Sequence, residues 1–237
     1  MSDEIILYDL PSRQGKAWSL NTWKTRLALN FKGLPYKTEF VEYPDLGPLL
    51  EKAGVPPNAT GIKYTLPTIR LPDGRYVMES RKIADVLDAE YPEPSLRLDS
   101  PYQARIEALI TALQPKIRPI FAPLIPKSYL NPVSQKYFVA TREADIGMPL
   151  DKFHEGADNA FNDTKPLIKQ FGDLLDEHPG GPFFLGSEVS YADFVVVGLV
   201  RMLEGIGWAE KFFALDGGQQ IKRQYHAAAK WLERDSY

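Results

Sequence analysis

In residues 4–90, short apolar runs alternate with segments whose apolar residues recur every three or four positions. The short runs are typical of strands, and the longer periodic segments are typical of amphipathic helices. Trp23, Leu27 and Phe31, for example, stand at four-residue spacing before Gly33, which predicts a helix that ends at the glycine. The whole pattern predicts strands over residues 4–10, 37–43, 68–71 and 76–78 and helices over residues 21–32 and 80–90. A stretch rich in proline and glycine, residues 44–57, separates the second and third strands.

Beyond residue 92 the apolar positions follow a helical period almost throughout. Stripes of this kind are typical of helices that bury one face, and they predict helices over residues 102–113, 150–175, 191–204 and 218–234. Residues 115–132 contain five prolines, and a proline inside a helix removes a hydrogen bond and clashes with the preceding turn. We therefore expect this segment to break or kink the bundle rather than continue as one long helix.

These elements predict two domains joined at a proline-rich linker. The sequence Pro-Glu-Pro-Ser at residues 92–95 is too rich in proline for a regular helix or strand. The elements before it follow the order β-α-β-β-β-α of an α/β thioredoxin-like domain, and those after it form an all-α helical domain. We expect the two domains to comprise residues 1–92 and 102–237, with residues 93–101 as the linker.

Charge and hydropathy exclude several classes of partner. The net charge of −3, from 28 basic and 31 acidic residues, offers none of the basic surface expected of a nucleic-acid-binding protein. The longest apolar run, residues 194–200, has seven residues, whereas a membrane-spanning helix needs roughly 20. The N-terminal Met-Ser-Asp-Glu lacks the basic start and apolar stretch of a signal peptide. We therefore expect a cytoplasmic protein with no nucleic-acid or membrane partner.

The chain contains no cysteine, so it can form neither disulfides nor thiolate metal sites, and it has no cysteine nucleophile. The three histidines, His154, His178 and His226, lack metal-ligand spacing, and we expect no metal. Any thiol chemistry must therefore use a thiol that a cofactor brings.

Ser19 stands two residues before the start of the first predicted helix. Free N–H groups and the positive end of the helix dipole at such a position favour an anion, including a bound thiolate. The alternative is that Ser19 or Asn21 serves only as a helix N-cap.

Two further segments of the first half offer groups for a peptide-like ligand. Pro67 precedes the third predicted strand, and with a cis bond the backbone of Leu66 would face outward and pair with a peptide. The alternative is an ordinary trans proline. Glu79 and Ser80 begin a predicted helix, where Glu79 can accept from an ammonium and the helix start suits a carboxylate. Here the alternative is again a simple cap.

Ser190 and Asp193 have the spacing of a reciprocal helix-start box, to which we assign a structural role only. Together with the Leu-Pro-Thr-x4-Asp-Gly-x4-Glu-Ser pattern of residues 66–80, the Phe-Leu-Gly-x3-Ser-x-Ala-Asp-Phe pattern of residues 184–194 resembles the cytosolic glutathione transferase family. The resemblance covers nearly the whole chain. Residues 19–34 look most like the serine-type fungus-specific A class (FuA) and the bacterial β-etherase relatives.

The resemblance implies a glutathione site in the first domain. Position by position, Ser19 matches the serine that hydrogen-bonds the glutathione sulfur, a role that Asn21 and Thr22 could share. Leu66 matches the residue that pairs with the cysteinyl backbone, Pro67 the cis-proline, and Glu79 and Ser80 the pair that holds the γ-glutamyl end. Lys63 is a weaker match for the partner of the glycyl carboxylate. A long stretch, residues 12–18, separates the first strand from Ser19 and leaves Ser12 and Tyr8 as rivals for the thiol donor.

The implied activity is transfer of glutathione to hydrophobic, aromatic electrophiles or aryl ethers in detoxification, with peroxidase chemistry as a side activity. The alternative is a ligandin that sequesters aromatic compounds without turnover. We expect a homodimer and a substrate site against the helical domain. Its predicted wall comes from residues 115–137, because closely spaced prolines should leave a cleft there. The wall residues are Ile120, Phe121, Leu124, Tyr129 and Tyr137.

Overall fold

A computed structural model describes residues 4–236. The first half folds as a four-stranded sheet of order β2-β1-β3-β4. Strands β1 and β2 are parallel, and β3 is antiparallel to both β1 and β4. The elements are β1 (Ile5–Asp9), α1 (Leu20–Lys32), β2 (Tyr36–Phe40), α2 (Tyr43–Lys52), β3 (Thr68–Arg70), β4 (Tyr76–Met78) and α3 (Ser80–Glu90).

Strand β1 is buried on both faces, because helices cover both sides of the sheet. Its side chains alternate between two clusters, as the two-residue period of a strand requires. Ile5 and Leu7 enter the main core. Ile6 and Tyr8 enter a smaller cluster formed with α2. The first half of the chain therefore has the α/β layered architecture expected from the sequence.

The second half is helical. Its elements are α4 (Pro101–Ser128), α5 (Pro132–Ile146), α6 (Leu150–His154), α7 (Ala157–Asp176), α8 (Tyr191–Gly205), α9 (Ala209–Phe213), α10 (Gly218–Ala227) and α11 (Ala229–Leu232). Helix α8 is buried along most of its length and packs against α1, α4 and α10. No helix within residues 4–236 is both long and apolar enough to cross a membrane.

The reciprocal box at the start of α8 is confirmed. The Asp193 carboxylate accepts from the backbone N–H and the hydroxyl of Ser190, both at 2.7 Å. It also accepts from the N–H of Phe184 at 3.0 Å and the amide of Gln224 at 2.7 Å. Asp193 thus joins the start of α8 to the preceding loop and to α10 while buried from solvent.

The prolines of α4 do not interrupt the helix, contrary to the expectation from the sequence. The helix continues to Ser128 with prolines at positions 115, 119, 123 and 126 inside it. Spacings of four, four and three place these prolines on one side of the helix, so the other side keeps packing. Pro123 cannot donate to the carbonyl of Pro119, and His154 Nδ1 lies 3.0 Å from that oxygen in its place.

Other elements also differ from the sequence expectation. Strand β2 ends at Phe40 rather than at residue 43, and α5 forms where no helix was expected. Residues 43–52 form α2, because Pro44 lies in the tolerant first turn and Leu46 and Leu50 are buried one turn apart. The predicted helix 150–175 is divided near Gly156 into α6 and α7. The predicted helix 218–234 is divided at Ala228 into α10 and α11.

Candidate functional site

A cavity of about 660 Å³ lies between the first turn of α1, the loop before β3, the start of α3 and one face of α5. Seven of the eight residues expected to hold glutathione or activate its thiol line this cavity, and Thr22 does not. The full lining comprises Leu10, Ser19, Asn21, Lys24, Tyr43, Leu46, Gly47, Ile62, Lys63, Tyr64, Thr65, Leu66, Pro67, Glu79, Ser80, Tyr137, Thr141 and Arg142.

Ser19 occupies the N-cap position of α1 but does not use its hydroxyl as a cap. The first backbone bond at this end runs from the N–H of Trp23 to the carbonyl of Ser19 at 2.9 Å. The N–H groups of Leu20, Asn21 and Thr22 precede that bond and have no partner within the helix. No acidic residue lies in the first turn. A free hydroxyl, free N–H groups and the helix dipole therefore favour an anion at this point.

The rivals for the thiol donor are placed elsewhere. The Ser12 hydroxyl donates to the carbonyl of Lys16 at 2.7 Å and accepts from the Lys16 N–H at 3.1 Å, outside the cavity. Tyr8 stacks on Tyr76 within the smaller cluster formed with α2, also outside the lining. Burial, with the hydrogen bond to Tyr76, raises the pKa of the Tyr8 phenol well above its ordinary value. Of the three residues, Ser19 is therefore the one that lines the cavity.

Thr22 and Asn21 have different surroundings. The Thr22 hydroxyl is buried and donates to the carbonyl of Ser19 at 3.0 Å, so it fixes the Ser19 backbone rather than facing the cavity. The Asn21 amide lines the cavity, and its oxygen accepts from the Lys24 ammonium at 2.9 Å. Burial lowers the pKa of Lys24 to about 8, although Glu107 and Glu79 oppose the shift. Lys24, which no sequence motif singled out, brings a positive charge to this end of the cavity.

Helix α1 is fixed to the sheet by a buried ion pair. Arg26 Nη2 lies 3.0 Å from Asp9 Oδ2, and both side chains are fully shielded from solvent. The same guanidinium donates to the Thr38 hydroxyl at 3.0 Å and to the Tyr36 hydroxyl at 3.3 Å. Arg26 thus connects α1 with β1 and β2.

Helix α8 supports the first turn of α1 from the other side. Gly198 faces it so closely that a Cβ there would lie 3.0 Å from the carbonyl oxygen of Leu20 and 3.2 Å from the Trp23 Cβ. A side chain at position 198 would therefore push against the backbone beside Ser19.

The peptide bond between Leu66 and Pro67 is cis, and both residues line the cavity just before β3. The neighbouring Thr65 hydroxyl donates to Glu79 at 2.6 Å. This hydrogen bond links the loop before β3 to the start of α3.

Glu79 is held at the start of α3 with a φ of 75°, a region that residues other than glycine rarely adopt. Its Oε1 atom accepts from Thr65 and, at 3.0 Å, from the amide of Asn58. These donors orient the carboxylate, and backbone strain of this kind clusters at binding sites. The adjacent Ser80 lines the cavity, and its carbonyl accepts from the Tyr191 hydroxyl at 2.9 Å.

The wall opposite these groups is formed by α5 rather than by α4. Tyr137, Thr141 and Arg142 of α5 line the cavity, and the Tyr137 ring stacks on Tyr43 with centroids 6.0 Å apart. Of the five expected wall residues, only Tyr137 is in the lining.

The other four expected wall residues lie away from the cavity. Ile120 is fully buried in the core, and Phe121 and Leu124 pack against that core. Tyr129 donates its hydroxyl to the carbonyl of Met202 at 2.8 Å and stacks on Trp18. The structure does not bring these four residues to the cavity, because the continuous α4 uses the first three for packing and Tyr129, directly after α4, is engaged by Met202 and Trp18.

Comparison with known proteins places this chain in a family. The model of the glutathione S-transferase C-terminal domain matches residues 103–231, and that of the N-terminal domain matches residues 18–90. The chain belongs to the glutathione S-transferase family. The resemblance inferred from the sequence motifs is thereby confirmed.

Fungal members of the glutathione S-transferase family are similar to this chain over nearly its full length. The glutathione S-transferase-like protein ustS of Aspergillus flavus is 32% identical, covering 92% of this chain and 86% of its own. The glutathione S-transferase CsGST63524 of Ceriporiopsis subvermispora, solved in complex with glutathione, is 33% identical, with a TM-score of 0.83 and coverage of 96% and 97%. Glutathione transferase GSTFuA3 of Phanerochaete chrysosporium is 30% identical, with a TM-score of 0.85 and coverage of 98% of each chain.

Because the Ser19 hydroxyl caps nothing, we expect its removal to change the free energy of unfolding of this glutathione S-transferase very little, unlike removal of a capping serine. Ser100 provides a matched control, because its side chain accepts from the N–H of Tyr102 at 3.2 Å at the start of α4. We expect Ser100→Ala to lower the free energy of unfolding by about 1 kcal/mol. Ser19→Ala should change it by less than about 0.5 kcal/mol, as substitutions outside stabilising contacts do. Urea unfolding of both variants measures this, and an equal loss in Ser19→Ala would mean that Ser19 is a cap.

Proposed function

We propose that this chain is a glutathione transferase that activates the glutathione thiol at the N-terminus of α1 for attack on hydrophobic aromatic electrophiles or aryl ethers. The observation that carries the proposal is that Ser19 lines the cavity while its hydroxyl caps nothing. Similar proteins solved with glutathione support the choice of thiol. Clearance of reactive aromatic compounds is the physiological role we assign to this chemistry.

The charges of the lining match those of glutathione, which carries two carboxylates and one ammonium. Glu79 supplies a carboxylate for the γ-glutamyl ammonium, and Ser80 at the start of α3 supplies a site for the adjacent carboxylate. The exposed Lys63 serves the glycyl carboxylate. Leu66 offers its backbone to the cysteinyl residue, in the manner of an added strand. This arrangement brings the sulfur to Ser19.

The chemistry needs a thiolate, and a free thiol with a pKa near ~8.5 is only a few per cent ionised at neutral pH. The Ser19 hydroxyl donates to the sulfur, and the α1 dipole adds to the stabilisation of its charge. A shift of ~2 pKa units corresponds to about 2.7 kcal/mol, which a charge-assisted bond and a helix terminus can supply together. The thiolate then attacks an electrophilic carbon, the carbon–sulfur bond forms, and the leaving group departs with the electron pair.

Ser19→Ala should reduce kcat roughly 10- to 1,000-fold, because one donor to a developing or stabilised anion is lost. The KM for glutathione should stay unchanged, since the hydroxyl serves the thiolate rather than the peptide. The measurement is turnover of 1-chloro-2,4-dinitrobenzene, followed by a panel of aryl-ether, isothiocyanate and peroxide substrates.

Ser12→Ala and Tyr8→Phe are the matched controls and should keep wild-type kcat, because neither side chain reaches the cavity. A loss of activity in either control, with none in Ser19→Ala, would reassign the thiol donor. Dye displacement by aromatic compounds without any turnover in the wild-type protein would instead support a sequestering ligandin.

Glu79→Gln should weaken glutathione binding about 10-fold or more, because a hydrogen bond between charged groups contributes ~1.5–3 kcal/mol. The amide oxygen of the variant can still accept from Thr65 and Asn58, so the change removes mainly the charge. Titration calorimetry should also show that glutaryl-cysteinylglycine, which lacks the amine, binds the wild-type protein as weakly as glutathione binds the variant. Glu90→Gln, at the far end of α3, is the control. The deciding measurement is the binding of glutaryl-cysteinylglycine to Glu79→Gln. If the loss of affinity caused by the substitution and the loss caused by the missing amine add there, Glu79 does not contact the ammonium.

A further inference from the structure

Two cations of the lining, Lys24 and Arg142, are not assigned to glutathione in the proposed arrangement. Lys24 lies on α1, where its ammonium donates to the Asn21 side-chain oxygen at 2.9 Å. Lys24, Lys63 and Arg142 are the cations of the lining, and Glu79 is its carboxylate. The groups assigned to glutathione all come from α1, the loop before β3 and α3. Arg142 lies across the cavity on α5, so its positive charge is available to a second ligand.

Arg142 has no carboxylate partner within residues 4–236. Its guanidinium donates to the Thr141 hydroxyl at 3.0 Å, which is a neutral contact. The nearby acidic side chains on α5 are engaged elsewhere. Asp145 pairs with Arg118, and Glu143 accepts from the N–H of Leu150 at 2.9 Å. The Arg142 guanidinium therefore forms no ion pair within the described residues, although its charge is close enough to Asp145 to contribute, after Arg118, to the lowered pKa of that carboxyl.

Aromatic rings hold this guanidinium in place. The Arg142 Cζ lies 4.7 Å from the Phe138 ring centroid and 5.8 Å from that of Tyr43. Such cation–π contacts fix the planar group while leaving its N–H donors available. Burial raises the pKa of the Tyr43 phenol to about 12, so the phenol stays protonated. The stacked Tyr137 ring completes an apolar surface beside the charge.

We propose that Arg142 determines substrate specificity by binding an anionic group of the electrophile, so that this cavity selects aromatic substrates that carry a carboxylate. The inference rests on the proposed function and names its substrate class. The aromatic ring of the substrate lies against Tyr43 and Tyr137, and its carboxylate accepts from the Arg142 guanidinium. Its electrophilic carbon faces the thiolate at Ser19. Because Arg142 contacts the substrate and not the thiol, its replacement should lower activity toward substrates that carry a carboxylate and leave thiol activation unchanged.

The kinetic test compares 4-chloro-3,5-dinitrobenzoate with the neutral 4-chloro-3,5-dinitrobenzamide, two electrophiles of nearly the same shape. In Arg142→Met, kcat/KM for the benzoate should fall at least ~10-fold, chiefly through KM, while that for the benzamide changes less than twofold. Arg142→Lys should restore part of the loss because it keeps the charge. Lys136→Met, an exposed position on α5, is the control and should behave as the wild-type protein.

Two results would overturn the proposal. Equal losses for the benzoate and the benzamide would make Arg142 a structural residue of α5. A raised KM for glutathione, with an unchanged ratio of the kcat/KM values for the two electrophiles, would assign Arg142 to glutathione instead.

A binding experiment separates failure of this inference from failure of the proposed function. Titration calorimetry with unreactive 3,5-dinitrobenzoate and 3,5-dinitrobenzamide needs no turnover. Preference for the benzoate that Arg142→Met abolishes supports the anion site even in a protein without transferase activity. Absence of that preference in the wild-type protein overturns the inference even if the transferase activity is demonstrated.

Discussion

The buried ion pair between Asp9 and Arg26 is the contact on which the geometry of the cavity depends. It joins the end of β1 to the middle of α1, and the same guanidinium also bonds to β2. Removing one partner of such a pair leaves an uncompensated buried charge, which typically costs about 3–5 kcal/mol. The pair therefore resists movement of α1 against the sheet. Since Ser19 is the residue before α1, the same pair sets where the free hydroxyl meets the cavity.

Other contacts join the two halves of the chain around this point. Gly198 allows α8 to approach the first turn of α1, and a Cβ there would lie 3.0 Å from the Leu20 carbonyl. At the opposite wall, the Ser134 hydroxyl of α5 accepts from the N–H of Tyr43 at 2.9 Å and bonds to the Glu42 carboxylate. These contacts fix the walls of the cavity, so the hydroxyl and N–H donors at the start of α1 need little rearrangement when charge develops on a bound sulfur. Such prearranged donors are the basis of electrostatic catalysis.

The sequence predicted the features that depend on local patterns and missed those that depend on distant partners. The end of α1 at Gly33 follows from one glycine, which adopts a left-handed conformation with φ of 64°. The continuity of α4 involves a remote group instead, since His154 Nδ1 lies 3.0 Å from the Pro119 carbonyl that Pro123 leaves without a donor. Arg142 lacks a sequence signal as well. Its role depends on α5 lying beside α2, and α2 itself was absent from the predicted elements.

The most direct test of the account is the pKa of the thiol of glutathione bound to this protein, read from thiolate absorbance at 240 nm as a function of pH. Thiol activation by Ser19 predicts a pKa ~2 units below the ~8.5 of a free thiol in the wild-type protein, and a return toward ~8.5 in Ser19→Ala. A bound thiol with an unshifted pKa, or a shifted pKa that Ser19→Ala leaves in place, would contradict thiol activation by Ser19 at the N-terminus of α1.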